Sequence, residues 1–194
     1  AMSLDGKISR PNGEGQWLSN EQSRERVHLL RGEVDAIVTS GETVRRDNPS
    51  LTIRSPQISK EKEQPLRVVL TKCGLDQSQW KLFNDEYKNR TRVFKNIKPQ
   101  DVLSQLSENE GVNTVMLECG GSLMGEFLDL NLIDEFMIFY APMVTGGSHC
   151  AIGGEGISGL EDRWGLENPS VEQIGNDFCL RGLVSTESRR ELER

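Results

Sequence analysis

The sequence holds few of the residues that build metal sites or disulfide frameworks. Its 194 residues include two histidines and four cysteines, and no two cysteines form a C-x-x-C pair. The two histidines, His28 and His149, lie far apart, and so do the four cysteines, Cys73, Cys119, Cys150 and Cys179. Because zinc sites need such ligands in close, regular spacing, we expect no metal site. We also expect the thiols to be reduced and mostly buried.

The sequence also lacks an excess of basic residues and a long apolar run. Its 30 acidic and 23 basic side chains give a net charge of -7. Nucleic acids and acidic membranes bind basic surfaces, so both are disfavoured as partners and any anion site must be local. No run approaches the roughly 18 apolar residues of a spanning helix. We therefore expect a cytoplasmic protein with a single domain over residues 1–194, of which 187–194 form a charged tail.

Short apolar runs alternate with helical patterns through most of the chain. The spacing of apolar residues predicts a helix over residues 20–31 and another from Pro99 to the residue before Gly111. Continuous apolar runs predict strands at 36–39, 66–71, 91–94, 114–117 and 135–140. A turn at 175–177 predicts a final antiparallel hairpin. The predicted fold class is α/β, with a mostly parallel central sheet flanked by helices and a C-terminal antiparallel hairpin.

The stretch VNTVMLECGGSLMGEFLDL at residues 112–130 combines a strand, two glycines and an amphipathic helix. Gly120 and Gly121 let the backbone turn sharply and approach a ligand closely, and the N–H groups at the start of the next helix favour an anion. A phosphate could bind there. A glycine pair also closes ordinary strand-to-helix turns, so both interpretations stay open for this stretch alone.

Polar side chains follow the first buried strand, in residues 40–54. Gly41 and Asn48–Pro49 break regular structure, so we predict an irregular connection. It supplies a hydroxyl at Thr43, a carboxylate at Asp47 and a guanidinium at Arg54. Ligands of open α/β sheets bind at the carboxyl ends of the strands. This connection and the glycine turn together predict a site for a nucleotide-type ligand.

Five ordered motifs carry a resemblance that covers nearly the whole chain. They are SLDGKI from residue 3, W-x-S from 17, TVRRDNPSLTIR from 43, LECGGSL from 117 and APMVTGG from 141. In this order the chain resembles the reductase domain of riboflavin biosynthesis, the carboxyl-terminal half of the bifunctional deaminase-reductase. The resemblance implies a dihydrofolate-reductase-like fold, NADPH as hydride donor and reduction of a ribosylaminopyrimidine 5′-phosphate to its ribityl form. It also implies a homodimer, and a pyrimidine deaminase as a fused or separate partner.

The resemblance implies two sets of site residues. The cofactor set is Ala1, Trp17, Thr43, Asp47, Gly120, Gly121, Ser122 and Leu123, with phosphate at the turn over 120–126. The substrate set is Gly15, Arg31, Leu51, Arg54 and Glu118. Glu118 is the implied catalytic residue, which faces the reacting ribose and orients or polarises it. We expect Arg31 and Arg54 to hold the 5′-phosphate, because a guanidinium makes bidentate phosphate contacts.

Two departures from the family pattern leave alternatives open. Family members usually have a strand before SLDG that carries a lysine, a candidate catalytic group, and this sequence begins after that point. Gly15 stands where a hydroxyl residue often touches substrate. One alternative is therefore a reductase of the same fold that acts on another pterin-like or imine substrate. The other is a nucleotide-binding module without catalysis, which the missing lysine makes conceivable.

Overall fold

The computed structural model describes residues 1–8, 17–58, 62–159 and 162–185. Its helices and strands, in chain order, are β1 (Met2–Ser3), α1 (Glu21–Arg31), β2 (Ala36–Ser40), α2 (Gly41–Asp47), β3 (Leu66–Thr71), α3 (Lys81–Asn84), β4 (Thr91–Lys95), α4 (Pro99–Glu110), β5 (Val115–Leu117), α5 (Gly121–Asp129), β6 (Glu135–Ala141), β7 (Leu166–Ile174) and β8 (Asp177–Val184). The chain divides into two compact units. We call Arg24–Leu123 the parallel unit, and Ala1–Ser23 with Met124–Arg194 the mixed unit.

The parallel unit contains a four-stranded, all-parallel sheet in the order β4-β3-β2-β5. The central strands β2 and β3 are buried along nearly their whole length, as expected for parallel strands covered on both faces. One hydrophobic cluster of this unit has members that are each at most 2% exposed: Ile37, Val44, Leu51, Val69 and Leu82. The buried strands predicted at 36–39 and 66–71 are confirmed.

A buried arginine connects β3 to the segment that follows α2. Arg67 is 1% exposed and pairs with Asp85 through Nη1–Oδ2 (2.5 Å) and Nη2–Oδ1 (2.8 Å). Its Nη1 also donates to the Ser50 carbonyl (3.0 Å), and Nη2 donates to the Leu82 carbonyl (2.8 Å). A charge this deeply buried needs such partners. Arg67 therefore fixes the backbone at Ser50, at the start of a segment that carries predicted substrate residues.

The mixed unit contains a four-stranded sheet in the order β1-β6-β8-β7. β1 runs parallel to β6, and the other pairs are antiparallel. The predicted C-terminal hairpin is confirmed, with Ile174 opposite Asp177 across the turn. Gly175 is needed in that turn, because its φ is 61° and a Cβ would lie 2.5 Å from Gln22 Oε1. The described strands thus form two sheets, of which only the one in the parallel unit is parallel throughout.

The start of α1 is joined to this hairpin by side-chain hydrogen bonds. Asn20 Oδ1 accepts from the Ser23 N–H (2.9 Å), so Asn20 caps the helix, which begins one residue later than predicted. Asp177 is 2% exposed, and its Oδ2 accepts from the Asn20 N–H (2.8 Å) and the Ser23 hydroxyl (2.7 Å). Asn20 and the Asp177 carboxylate together therefore accept hydrogen bonds from the polar groups at the start of α1.

The expectation that the cysteines are mostly buried is wrong. None of the four cysteines forms a disulfide, but of the four only Cys179 is buried, whereas Cys119 is partly buried and Cys73 and Cys150 are exposed. Cys73 lies just after the end of β3, and Cys150 lies in the long connection between β6 and β7. Chain connections run over the surface, so apolar neighbours in the sequence do not bury a side chain there.

Candidate active site

Two motifs meet at the carboxyl edge of the parallel unit's sheet. β2 and β5 are parallel neighbours, with Val38 opposite Leu117, so their carboxyl ends lie side by side. Glu118 follows β5, and its N–H donates to the Val38 carbonyl at 2.9 Å. Ser40 ends β2 at the same edge. The parallel pairing therefore brings together the segments that begin at residues 43 and 117.

The prediction of an irregular connection over residues 40–54 is wrong for its first half, because Gly41–Asp47 forms α2. Ser40 caps this helix, because its hydroxyl accepts from the Thr43 N–H at 3.0 Å. Asn48 ends the helix in the left-handed region, with φ 43°. Gly41 was interpreted as a breaker, whereas it is needed for close packing, since a Cβ there would lie 2.5 Å from Thr71 Oγ1.

Thr43 faces the glycine turn. A Cβ on Gly120 would lie 3.9 Å from Thr43 Oγ1, which is ordinary van der Waals contact. The same hydroxyl lies 2.9 Å from Ser40 Oγ. Neither Gly120 nor Gly121 has a positive φ, so the turn itself does not demand glycine. The absence of a side chain at Gly120, beside Thr43, is the property of this turn that would let a ligand approach closely.

The helix predicted after the glycines is α5, which begins at Gly121. The N–H groups in the first turn of a helix have no intrahelical partner, a feature that favours an anion. Ser122 in this turn is exposed, whereas Leu123 is only 8% exposed and packs into the core. A ligand at this turn could reach the hydroxyl of Ser122 and the backbone of Leu123, but not the Leu123 side chain.

Glu118 and Arg31 form a bidentate ion pair beside this edge. Arg31 Nε lies 3.0 Å from Glu118 Oε2, and Nη2 lies 2.5 Å from Oε1. Arg31 Nη1 donates to the Thr52 carbonyl at 2.9 Å. The side chain of Arg31 is 8% exposed and that of Glu118 is 30% exposed. All three guanidinium nitrogens thus have protein partners, so a phosphate could bind Arg31 only by displacing one of them. Each Glu118 oxygen keeps a lone pair for a further donor.

The remaining predicted residues of this unit differ in exposure. Asp47, at the end of α2, is exposed as a residue. Partial burial of its carboxyl nevertheless raises the pKa of Asp47 above its ordinary value, and the nearby Arg46 offsets only part of this effect. Leu51 is 2% exposed and has φ 50°, a strained conformation for leucine, so a substrate contact there would have to come from its backbone. Arg54 is exposed, and its N–H lies 3.3 Å from His28 Nδ1.

Three predicted residues belong to the amino-terminal part of the mixed unit. Ala1 is exposed, and Trp17 is 54% exposed, so about half of the Trp17 surface is accessible. Gly15 lies outside the described residues. The parallel unit therefore brings together Thr43, Gly120, Gly121 and Glu118, while Ala1 and Trp17 lie in the other unit.

The motifs SLDGKI and APMVTGG meet through Asp5, which is not among the predicted site residues. Asp5 accepts from the Ser3 hydroxyl (2.6 Å), the Thr145 N–H (3.0 Å) and the Gly146 N–H (2.8 Å). The Ser3 bond first, then the backbone bonds, lower the pKa of Asp5 to about 2. In the sequence, this contact could have been suspected only from the acidic residue in one motif and the glycine pair in the other. Asp5 therefore organises the backbone of both motifs.

Within the described ranges, no group of three or more histidines, cysteines, aspartates and glutamates is arranged to hold a metal ion. No helix among the same residues is long and apolar enough to cross a membrane.

A family model described as the RibD C-terminal domain matches residues 1–180. The chain belongs to the RibD C-terminal domain family. A relative from Mycobacterium tuberculosis (strain ATCC 25618 / H37Rv), named riboflavin biosynthesis protein RibD, is 34% identical over 180 residues, which are 93% of this chain and 51% of the relative. This RibD C-terminal domain thus spans about half the length of such curated RibD relatives. The resemblance to the reductase domain of riboflavin biosynthesis is confirmed.

Two further matches support the family and the fold. A relative from Methanothermobacter thermautotrophicus, named 2,5-diamino-6-ribosylamino-4(3H)-pyrimidinone 5′-phosphate reductase, is 30% identical over 207 residues and is covered to 95%, as is this chain. The solved structure of Acinetobacter baumannii RibD, form 2, has a TM-score of 0.83 and 25% identity, covering 95% of this chain and 56% of that one. The fold of this chain is α/β and dihydrofolate-reductase-like, which confirms the predicted fold class.

Proposed function

We propose that this chain is an NADPH-dependent reductase that converts a ribosylaminopyrimidine 5′-phosphate to its ribitylamino form. The observation that carries the proposal is the meeting of Thr43 with the Gly120–Gly121 turn at the carboxyl edge of a parallel sheet, beside the exposed face of Glu118. Ligands of open α/β sheets bind at this edge. The Methanothermobacter relative, named as such a reductase, is covered almost from end to end.

In the proposed reaction, NADPH supplies a hydride to C1′ of the ring-opened ribose, and a proton completes the reduction of the imine. The protein's contribution is binding, orientation and exclusion of water. The first turn of α5, with Ser122 and the backbone of Leu123, would bind a cofactor phosphate, and the Thr43 hydroxyl would donate beside it. Asp47 completes the part of the proposed cofactor set that lies in the parallel unit, and the roles of Ala1 and Trp17 stay predictions.

Glu118 is the proposed catalytic residue. Its two oxygens accept from Arg31, which fixes the carboxylate in one orientation. The partly exposed face is available to accept a ribose hydroxyl and hold C1′ toward the hydride donor. Arg54 is the proposed ligand of the substrate 5′-phosphate because its side chain is exposed, whereas Arg31 acts mainly through Glu118 and Thr52. Leu51 contributes, in this proposal, through its backbone, and Gly15 stays a predicted substrate residue.

A preference for NADPH over NADH requires a basic group for the 2′-phosphate. Three basic residues lie near the carboxyl ends of neighbouring strands. Lys72 follows β3, Lys95 ends β4, and Arg45 Nη1 lies 3.4 Å from the position of a Cβ on Gly41. Although the chain has a net charge of -7, these three residues place positive charge near this edge of the sheet. These residues support the choice of NADPH.

The test is cofactor titration and turnover with a panel of substrates. We expect NADPH to bind at least about tenfold more tightly than NADH and to quench Trp17 emission. Equal affinity for the two cofactors, or quenching that persists unchanged in Trp17→Phe, contradicts the assignment. Turnover of another imine or pterin-like substrate alone favours the first alternative, and cofactor binding without any turnover favours the second.

Two further proposals follow from the family. A homodimer is supported by β7, an edge strand whose side chains, such as Val171, are largely exposed. Sedimentation tests this proposal. A fused or separate pyrimidine deaminase would provide or share the substrate. The predicted cytoplasmic location and the single domain over residues 1–194 stay predictions.

A further inference from the structure

Three side chains of α1 contact the segment that carries Arg54. They lie at positions i, i+3 and i+6, so they share one face of the helix. We call Glu25, His28 and Arg31 the α1 stripe. In order along the helix, its contacts are Glu25 with Ser55, His28 with Arg54, and Arg31 with Thr52. The stripe and the segment therefore run in opposite directions, with one side-chain contact for each helical turn.

The ring of His28 is the centre of this stripe. Its Nδ1 lies 3.1 Å from the Thr52 carbonyl, 3.3 Å from the Arg54 N–H nitrogen and 3.4 Å from Arg31 Nη1. The Thr52 carbonyl already accepts from Arg31 at 2.9 Å. Nδ1 is thus surrounded by two donors, Arg31 and Arg54, and by one acceptor, the Thr52 carbonyl, which already has a donor in Arg31. The tautomer with its proton on Nε2 fits best, because Nδ1 then accepts from Arg54 and Arg31.

We propose that His28 is a positioning residue for the phosphate end of the substrate, since its Nδ1 holds the Arg54 backbone from which the exposed guanidinium extends. The inference rests on the proposed function, in which Arg54 is the phosphate ligand. The opposite edge of the segment is fixed by Gln64, which bonds the N–H (2.7 Å) and carbonyl (3.3 Å) of Ile53. A segment that is already held on both edges loses less conformational entropy when a ligand binds, and this favours affinity.

Protonation of His28 opposes this role. An imidazolium Nδ1 carries a proton, so it can no longer accept from the Arg54 N–H. The charged groups that face the ring are Arg31 and Glu25 of α1 and Arg54 of the segment. Burial first, then repulsion by Arg31 and Arg54, lowers the pKa of His28 below its ordinary 6.5, whereas the Thr52 carbonyl, which would accept from a protonated Nδ1, and then Glu25 raise it. The neutral ring is thus favoured at neutral pH, and acid weakens phosphate binding.

The experiment compares His28→Ala and His28→Asn with the wild type. Asn places an uncharged acceptor near Nδ1, so it should restore function. We expect His28→Ala to raise KM for the phosphorylated substrate about tenfold with kcat nearly unchanged, and to leave KM for the dephosphorylated substrate as in the wild type. As pH falls below about 6.5, KM of the wild type should rise more steeply than KM of His28→Asn, whose profile shows the titration of the substrate phosphate alone.

A binding readout separates this inference from the proposed activity. The protein has only two histidines, so proton resonances of His28 can be assigned with His149→Asn as the control. Ribose 5-phosphate is the probe, and it should shift the His28 resonance and bind about tenfold more weakly to His28→Ala. Equal loss of affinity for both substrate forms in His28→Ala, or unchanged binding of the probe, overturns the inference. A wild type without turnover that still binds the probe overturns the proposed function instead.

Discussion

The two sides of the carboxyl edge in the parallel unit are built in different ways. On the α1 side, Arg31 and Glu118 are held by charged hydrogen bonds to each other and to backbone. On the side of α2 and α5, even a Cβ added to Gly120 would make only ordinary van der Waals contact with Thr43 Oγ1, and the first N–H groups of α5 have no intrahelical partner. The first arrangement stabilises the folded chain and fixes geometry. The second leaves donors and space for a ligand, so changes there should alter affinity before they alter stability.

The largest effect should come from Arg31→Ala. Removal of the guanidinium leaves the Glu118 carboxylate without its bidentate partner and the Thr52 carbonyl without its donor. Breaking a buried pair by removing one partner costs about 3 kcal/mol or more. We expect the free energy of unfolding, measured with urea, to fall by about that amount. Arg31→Lys should keep part of it, since lysine retains the charge but not the fork. A loss below about 1 kcal/mol in Arg31→Ala would show that the pair is effectively solvated.

Glu118→Gln should affect stability less and turnover more. Glutamine keeps the shape but offers Arg31 one neutral acceptor in place of two charged ones, so the free energy of unfolding should fall by about 1.5–3 kcal/mol. Turnover should fall further than this loss of folded protein explains, with NADPH affinity within about twofold of the wild type. Kinetics at a temperature where both proteins are folded separates the effects. Normal turnover in a destabilised variant would make Glu118 purely structural.

The smallest effect on stability should come from Gly120→Ala. Among the described residues, the added methyl would meet only Thr43 Oγ1, at 3.9 Å, so the free energy of unfolding should change by less than about 0.5 kcal/mol. If a cofactor phosphate approaches this position, its dissociation constant should rise about tenfold. Gly41→Ala is the matched control. Its methyl would lie 2.5 Å from Thr71 Oγ1, so it should destabilise the protein by about 1–3 kcal/mol. Unchanged NADPH affinity in Gly120→Ala would remove the turn from the cofactor site.

Much of the fold was predictable because its signals are local. Continuous apolar runs mark β2 and β3, since parallel strands are buried on both faces. Gly111 ends α4 in the left-handed region, with φ 67°, as its place after the apolar pattern predicts. The helix α2 was missed because Gly41 and Asn48 were weighed as breakers, whereas one packs against Thr71 and the other caps the helix.

The partners of the site residues were not predictable from the sequence. Arg31 and Glu118 are 87 residues apart, and only the folded sheet brings them together. Sequence reasoning assigned both to a ligand and did not anticipate that they bind each other. His28 gave no signal beyond its helical spacing of three from Arg31, because its contacts with the Thr52–Arg54 backbone depend on the path of that segment. Charge and shape indicate what a side chain can bind, but burial and geometry decide which partner it has.

The most direct test of the central proposal follows the hydride itself. The protein is incubated with the ribosylaminopyrimidine 5′-phosphate and NADPH carrying deuterium at the transferred position of C4. The proposal predicts stoichiometric oxidation of NADPH and a ribitylamino product with one deuterium at C1′, found by mass spectrometry and NMR. Oxidation of NADPH without deuterium at C1′ would contradict hydride transfer to the ribose. Binding of both ligands with no product at all would leave this chain a nucleotide-binding module rather than a reductase.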